Sequence, residues 1–300
     1  MNSESGIRVS SRHTENVLTV FQTADARNYF EMLLSTSRTV REFCRRSGST
    51  YECFIGVKRG FWNWQSTYNR IHIFSEIYDR GWRSWVLYLD ADAYIWNLNF
   101  NIHSYLEGFQ DFGAIMTPSG ATSSFWDVNA GVLLINLGNP TGVSIVKRWA
   151  TAFNNVSDEI LRSNETPFTG PEDQVLLHNL LKADESLWPS IHLESADLMN
   201  SVSAAFIRQN LRSTNTDFTS RQLAVREAVD KVMGGEIAQV GKTQNEKIVS
   251  AAYQAILGRN ADNAGFTTYS KSLEANGLER GLAQLIRSLL TSQEYRSKEK

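Results

Sequence analysis

Residues 84–96 read SWVLYLDADAYIW. Trp85 to Leu89 form a run of five mostly apolar residues, rich in aromatic and aliphatic side chains and too short for a helix, so the stretch predicts a buried strand. It delivers two acids, Asp90 and Asp92, at the strand's carboxyl end. Side chains at i and i+2 of an extended chain point the same way, so both carboxylates are expected to face one crevice. In open α/β sheets ligands bind outside the carboxyl ends of the strands, and two hard oxygen donors there suit Mg²⁺ or Mn²⁺ holding a diphosphate. A pair of solvated loop acids or helix caps is the competing reading, disfavoured by the apolar strand that leads straight into them.

Outward from this strand, elements alternate. NVLTVFQ (16–22) and TYECFIGVK (50–58) read as strands, and ARNYFEMLLSTSRTVREF (26–43) and WQSTYNRIHIFSEIYDRG (64–81) carry helical apolar spacing. DFGAIMTP (111–118) and VNAGVLLINLG (128–138) add strands; GVSIVKRWATAFNNV (142–156), after Pro140, and PEDQVLLHNLLK (171–182), opened by Pro171, add helices. Alternation of this kind predicts a mainly parallel sheet covered by helices on both faces, over residues 14–212. Residues 213–245 are polar and helix-prone and read as a helical linker. Three amphipathic helices then fill residues 246–300: EKIVSAAYQAILG, AGFTTYSKSLEANG and LERGLAQLIRSLLTSQEYR. This small all-α C-terminal domain is too short to be robust alone and is expected to pack on the main domain or on a partner.

Composition narrows the functions. The chain's 42% apolar and 21% charged residues exclude disorder and fibre, and 30 basic against 32 acidic residues leave a net charge of -2, without the field that would gather nucleic acid. Cys44 and Cys53 lack zinc-site spacing and cannot staple a chain of 300 residues, which points to a reducing compartment. The polar start has no signal-peptide core, and no apolar run reaches the roughly 18 residues of a membrane span, so a cytoplasmic location is expected. Several of the eight tryptophans cluster between Trp62 and Trp96, more than a core needs, as in a sugar or nucleotide cleft.

DADA after an apolar strand resembles the DxD motif of GT-A glycosyltransferases. NRIHIFSEIYDRGWRSWVLYLDADAYIWN (69–97) resembles the region around that motif in the nucleotide-diphospho-sugar transferases that include α-galactosyl and α-xylosyl transferases. Two further matches follow in order: FWDVNAGVLLINLG (125–138) resembles the Asn-x-Gly strand lining the sugar site, and GPEDQVLLHNLL (170–181) the acidic-Gln helix start beyond it.

The resemblance implies a GT-A, Rossmann-like catalytic domain that uses a UDP- or GDP-sugar with Mn²⁺ or Mg²⁺. It assigns Asp92 to direct metal ligation, Asp90 to the metal shell and donor ribose, and the loop Thr23, Ala24 and Asp25 to the base. Arg70 would meet the ribose or phosphates, and Asp127 joins the donor-binding set. Asn129 offers a donor and an acceptor to sugar hydroxyls and Gly131 allows close approach of the backbone. Asp173 and Gln174 would sit beneath the anomeric carbon, although Glu172 and Asp173 also suit a helix N-terminus as plain first-turn acids. Many members supply a histidine as a further metal ligand where this chain reads SAAFIRQNLRS (203–213). Arg208 and Gln209 stand there, leaving His192, Gln209 or no third ligand open and making Arg208 a candidate for the diphosphate.

The tail, AAYQAILGRNADNAGFTTYSKSL followed by LIRSLLTSQEY, resembles a short bacterial helical domain related in pattern to phycobilisome linker modules. It is expected to bind a protein partner or mediate oligomerisation. In GRNADNAG, Asp262 starts the next helix and Gly265 permits a tight turn, with too few oxygens for Ca²⁺. The leading function is therefore metal-dependent transfer of a hexose or pentose to a hydroxyl of a glycan, lipid-linked or protein acceptor, with retention, an inverting reaction with Asp173 as its base staying open. A phosphohydrolase with an aspartyl nucleophile and a non-catalytic sugar-binding adaptor are the alternatives.

Overall fold

A computed structural model describes residues 5–11, 18–167, 170–210, 217–234, 244–259 and 261–298. Its centre is a seven-stranded sheet in the order β1-β3-β2-β4-β7-β6-β8, made of β1 (Ser5–Ser11), β2 (Leu18–Ala24), β3 (Thr50–Val57), β4 (Trp85–Leu89), β6 (Ala114–Pro118), β7 (Val128–Asn136) and β8 (Ile191–Leu193). β3, β2, β4, β6 and β8 run one way; β1 and β7 run against their neighbours. Every residue of β2 and β4 is buried, as expected of strands covered on both faces. The α/β reading holds, with β7 as an antiparallel insertion.

Helices α1 (Phe30–Ser47), α2 (Asn69–Asp79), α3 (Ile102–Glu107), α4 (Pro140–Asn154), α5 (Asp158–Ser163) and α6 (Asp173–Ala183) surround the sheet. Gly48 ends α1 in the left-handed region at φ 67°, a conformation a side chain would resist. Asn139 starts α4 by accepting from the Thr141 N–H at 2.8 Å, with Pro140 in the first turn.

Two features differ from expectation. The polar leader was expected to lie outside the sheet, yet Ser5–Ser11 pairs antiparallel with β3 along its whole length; an edge strand needs only backbone partners, so polarity does not prevent pairing. The expected start at residue 14 lies outside the described residues. Second, the stretch 84–96 is not one strand. β4 stops at Leu89, the Ala93 N–H donates to the Asp90 carbonyl at 2.9 Å to close a turn, and β5 (Ala93–Ile95) enters a second sheet in the order β5-β10-β9, with β9 (Met199–Ser201) and β10 (Ile207–Gln209). The two acids therefore converge through a turn and not through extended alternation.

The C-terminal part packs on the main domain. α7 (Phe218–Val232) packs on α1, tied by the Arg38–Asp230 ion pair and by Gln222 Nε2 donating to Glu31 at 2.9 Å. Beyond it α8 (Gln244–Leu257), α9 (Asn263–Thr291) and α10 (Gln293–Lys298) form the helical unit, α9 breaking at Gly277 (φ 73°) where the sequence predicts a helix end. Ile256, Leu285 and Ile286 share one continuous core with Leu33, Leu34 and Ile55, and Arg41 of α1 donates to the Ile256 carbonyl at 3.0 Å. The boundary at 212/213 falls on residues outside those described, and the one at 245/246 falls inside α8, which starts at Gln244.

Candidate active site

A cavity of about 510 Å³ opens at the carboxyl ends of β2 and β4. Its walls include Thr23, Ala24, Asp25 and Tyr29 on one side, Arg70, Asp90 and Asp92 at the base, and Asn129, Gly131, Asp173, Gln174 and Gln209 on the other. The sheet thus brings together nearly all the residues that the sequence singles out, from segments as far apart as Thr23 and Gln209.

Arg70, only 4% exposed, organises the floor. One of its terminal nitrogens donates to Asp90 Oδ1 at 2.8 Å, the other to the Ala130 carbonyl, while Nε donates to the Thr67 carbonyl at 3.0 Å and lies 3.2 Å from Asp173 Oδ2. Its guanidinium also stacks 4.5 Å from the Tyr88 ring centroid. Burial works against this cation, but Asp173 and Asp90 outweigh it and hold the charge more firmly than in water. Burial pushes the Asp173 carboxyl above its ordinary value, with Arg70 opposing and Asp90 adding to the rise. Arg70 is thus buried at the cavity wall and not a solvent-facing helix residue. It binds the two acids to each other.

At the turn the carboxylates meet a third group. Gln209 Nε2 lies 3.2 Å from Asp90 Oδ2 and 2.9 Å from Asp92 Oδ1, while its own Oε1 is buried without a hydrogen-bond partner. Gly131 makes this possible: a Cβ there would fall 2.5 Å from the Gln209 amide and 2.8 Å from Asp90 Oδ2. Among the described residues no group of three His, Cys, Asp or Glu could hold a metal ion. The donor set fits a hard cation when the Gln209 amide is turned so that its unpartnered oxygen, in place of the N–H group that now lies between the acids, faces the two carboxylates.

The other loops close locally. Asp25, 1% exposed, accepts from the backbone N–H groups of Arg27, Asn28 and Tyr29 at 2.8, 2.6 and 3.2 Å, so its carboxylate shapes the base loop ahead of α1. Asn129 Oδ1 accepts from the Gly131 N–H at 2.7 Å, and Gln174 Oε1 from the Ala130 N–H at 3.0 Å; both side chains border the cavity while fixing β7.

Several expected residues lie elsewhere. Asp127 does not line the cavity. It accepts from Ser119 Oγ at 2.5 Å and from the Thr122 N–H, bonds that overcome burial and hold its carboxyl below the ordinary aspartate value, so it serves the 119–127 loop. His192 packs against the Phe109 ring at 4.6 Å with Nε2 3.4 Å from Glu194, away from the acids. Arg208 lies 3.5 Å over the Trp96 ring: strand alternation on β10 sends it to the opposite face from Gln209. Of the tryptophans between 62 and 96 only Trp64 borders the cavity; Trp85 is core, and Trp62 and Trp82 donate to the Arg162 and Trp85 carbonyls. Reading the sequence missed Arg221 of α7, 2% exposed, whose guanidinium reaches Tyr29 Oη at 2.6 Å and lies 3.9 Å from Asp92 Oδ2. A lone arginine in a polar helical stretch gives no signal of such a place.

Comparison with known proteins agrees with this architecture. A crystal structure of a glycosyltransferase involved in the glycosylation of the major capsid of PBCV-1 superposes with a TM-score of 0.52 at 15% identity, over 70% of this chain and 98% of that one. The glycosyltransferase GlyE of Streptococcus pneumoniae TIGR4 is similar at a TM-score of 0.43 and 14% identity, over 77% of this chain and 66% of its own. At these identities the likeness is one of fold. No curated protein matches the sequence. A family model described as a domain of unknown function (DUF4214) matches residues 235–298. The chain therefore has a glycosyltransferase fold, a mixed α/β domain with a mostly parallel central sheet, followed by a helical region that carries that domain. No helix among the described residues is long and apolar enough to cross a membrane.

Proposed function

We propose that the protein is a metal-dependent glycosyltransferase that moves a hexose or pentose from a UDP- or GDP-sugar to a hydroxyl acceptor. The observation that carries this reading is the convergence of Asp90, Asp92 and Gln209 on one point of the cavity at the ends of β2 and β4. Asp90, Asp92 and Gln209 would hold Mn²⁺ or Mg²⁺, which when bound supplies Lewis-acid stabilisation of a departing diphosphate. The loop Thr23 to Asp25 would receive the base, with the backbone shape fixed by the Asp25 carboxylate. Asn129 and Gln174 would orient the sugar over Asp173.

The arrangement around Asp173 favours retention. Its carboxylate is buried and tied to Arg70, so it is placed to steady positive charge at the anomeric carbon and is poorly placed to accept an acceptor proton; the leaving diphosphate oxygen would take that proton as the new glycosidic bond forms on the same face. An aspartyl nucleophile is disfavoured because Asp90 Oδ1 already accepts from Arg70 and from Tyr88 Oη (2.6 Å), and Oδ2 from Gln209. The helical unit is proposed to offer its outer face to a protein partner or a second copy, its inner face being spent on α1. Calorimetric titration with UDP-, GDP- and dTDP-sugars, with and without Mn²⁺, tests the reading: ion-dependent binding of one nucleotide is expected, and ion-independent or absent binding overturns it. The anomeric proton coupling of the product then tests retention, an α-linkage from an α-linked donor being expected.

A further inference from the structure

The helix that follows the α/β domain does more than link. α7 is clamped to α1 by the Arg38–Asp230 and Gln222–Glu31 contacts and buries Val225 and Val229 against Met32 and Tyr94. From it Arg221 reaches inward, with Phe218 and Tyr29 rings each 5.5 Å from its guanidinium carbon, and its Nε is buried without a hydrogen-bond partner. A guanidinium this deep needs a counter-ion. The Asp92 carboxylate, 3.9 Å away, is the acid the structure puts beside it.

We propose that Arg221 is a positioning residue of the donor site: it fixes Asp92 and Tyr29 and moderates the negative charge of the cavity, so that a lone divalent cation is held less firmly and an anionic diphosphate is better accepted. This rests on the reading of the cavity as a nucleotide-sugar site. The charges support it. Asp25, Asp90, Asp92, Glu172 and Asp173 border the cavity with five negative charges, against which Arg70 and Arg221 set two positive ones, leaving the site near -3. Arg221 thus lowers the pull on a lone cation and eases the entry of a diphosphate. Loss of Arg221 would shift the balance to about -4, favouring a lone cation and repelling a lone diphosphate.

Thus one substitution should move two affinities in opposite directions, which a merely structural role would not do. In the full chain, Arg221→Met should bind Mn²⁺ alone at least about fivefold more tightly than the wild type, the factor that water-like screening leaves for a unit charge at this distance. It should also bind UDP or GDP without metal more weakly by a similar factor. Arg221→Lys keeps the charge and should restore both values, even if it does not restore the bond to Tyr29. Thermal unfolding of each variant tells whether the fold is retained. Mn²⁺ affinity that is unchanged or lowered in Arg221→Met, or opposite shifts that Arg221→Lys fails to reverse, would overturn the proposal. Because the Mn²⁺ titration involves no nucleotide, it reads Arg221 separately: a wild type that binds no nucleotide sinks the transferase reading and leaves the role of Arg221 toward the cation to this measurement.

Discussion

Two clusters in this molecule contain the same ingredients, an arginine between two carboxylates, and their settings separate them. Arg70 has a side chain 5% exposed and joins Asp90 to Asp173 at the base of a cavity. Arg259 has a side chain 40% exposed and joins Glu294 to Asp262 on the helical unit. In the second cluster every group has a folding task. Gly258 ends α8 at φ 67°, Asp262 caps α9 by accepting from the Gly265 N–H at 2.8 Å, and a Cβ on Gly265 would strike the Tyr253 hydroxyl. Glu294 takes both Arg259 bonds, at 2.7 and 2.6 Å, and Tyr295 is buried beside it. The Leu-Gly-Arg, Asp, Gly and Ser-x-Glu-Tyr pattern of the tail is thus a set of helix caps and a clasp. Charge clustering marks a site only where the groups converge on open space.

The largest effect that would sharpen this contrast is expected at Asp92. Asp92→Asn keeps size and hydrogen bonding but removes one of two acidic oxygens at the convergence point, so ion-dependent nucleotide binding should disappear and transfer should fall by at least about 10²-fold. Thermal stability should fall as well, because the change leaves the buried Arg221 without its counter-ion, so binding is read well below the unfolding temperature of the variant. Full activity in EDTA would break the assignment.

Asp173 should come next. Asp173→Asn is expected to cost about 10²-fold in rate with donor affinity largely kept, as loss of one preorganised charge beneath the reacting carbon. Its carboxyl titrates above the ordinary 3.8, so wild-type rate should fall on acidification with a midpoint above that value, and the Asn variant should lack this limb. Stability has the opposite sign: the folded state holds the Asp173 proton more tightly than the unfolded chain, so this residue's contribution rises as pH falls through its folded value towards 3.8. Denaturant midpoints of the two proteins across that window check it. A recovery of the Asn variant's rate at high pH together with a β-linked product would make Asp173 a base.

Gly131 tests geometry without touching charge. Gly131→Ala forces the Gln209 amide and Asp90 Oδ2 aside, both of them ends of side chains, so stability should change by less than about 1 kcal/mol. Affinity for Mn²⁺ with nucleotide should drop about 10- to 100-fold, as for disturbance of groups that orient metal ligands. An unaltered affinity would show that the three side chains do not need their present spacing.

How much of this was legible depends on the range over which a residue acts. The apolar run 85–89 declares a buried strand, and Asp90 and Asp92 at its end declare the crevice, because both statements need only local pattern. The turn that brings the acids together is hidden. Ala93, Tyr94 and Ile95 continue the apolar pattern, and only pairing with Gln209, Arg208 and Ile207 takes them into another sheet. β10 is three residues long, too short to carry a period, so the side that Gln209 faces could not be read. Arg221 looks like a surface residue of a polar helical stretch until an acid from a distant segment meets it, and Arg70, marked by resemblance as a donor contact, shows nothing in its local pattern of the two acids it joins. Asp127 shows the converse, an acid next to the right strand whose carboxylate is used up by its own loop.

The smallest effect is expected at the clasp of the helical unit, and it separates the two clusters most directly. Arg259→Ala removes both bonds to Glu294 and the contact to Asp262, yet the pair is well exposed, so solvent and salt screen it and its worth is about 1 kcal/mol or less. Bidentate geometry places it at the upper end of that range. Unfolding temperature should fall by about 2 °C at low salt and by less at 1 M NaCl, since screening already weakens the bond in the parent. Mn²⁺-dependent nucleotide binding should be unchanged, because Glu294, Asp262 and the Tyr253 ring, which Arg259 meets, all belong to the helical unit. If nucleotide affinity fell along with the clasp, the continuous core through Ile256 and Leu33 would be transmitting the loss to the donor loop ahead of α1, and the helical unit would have to be counted with the site.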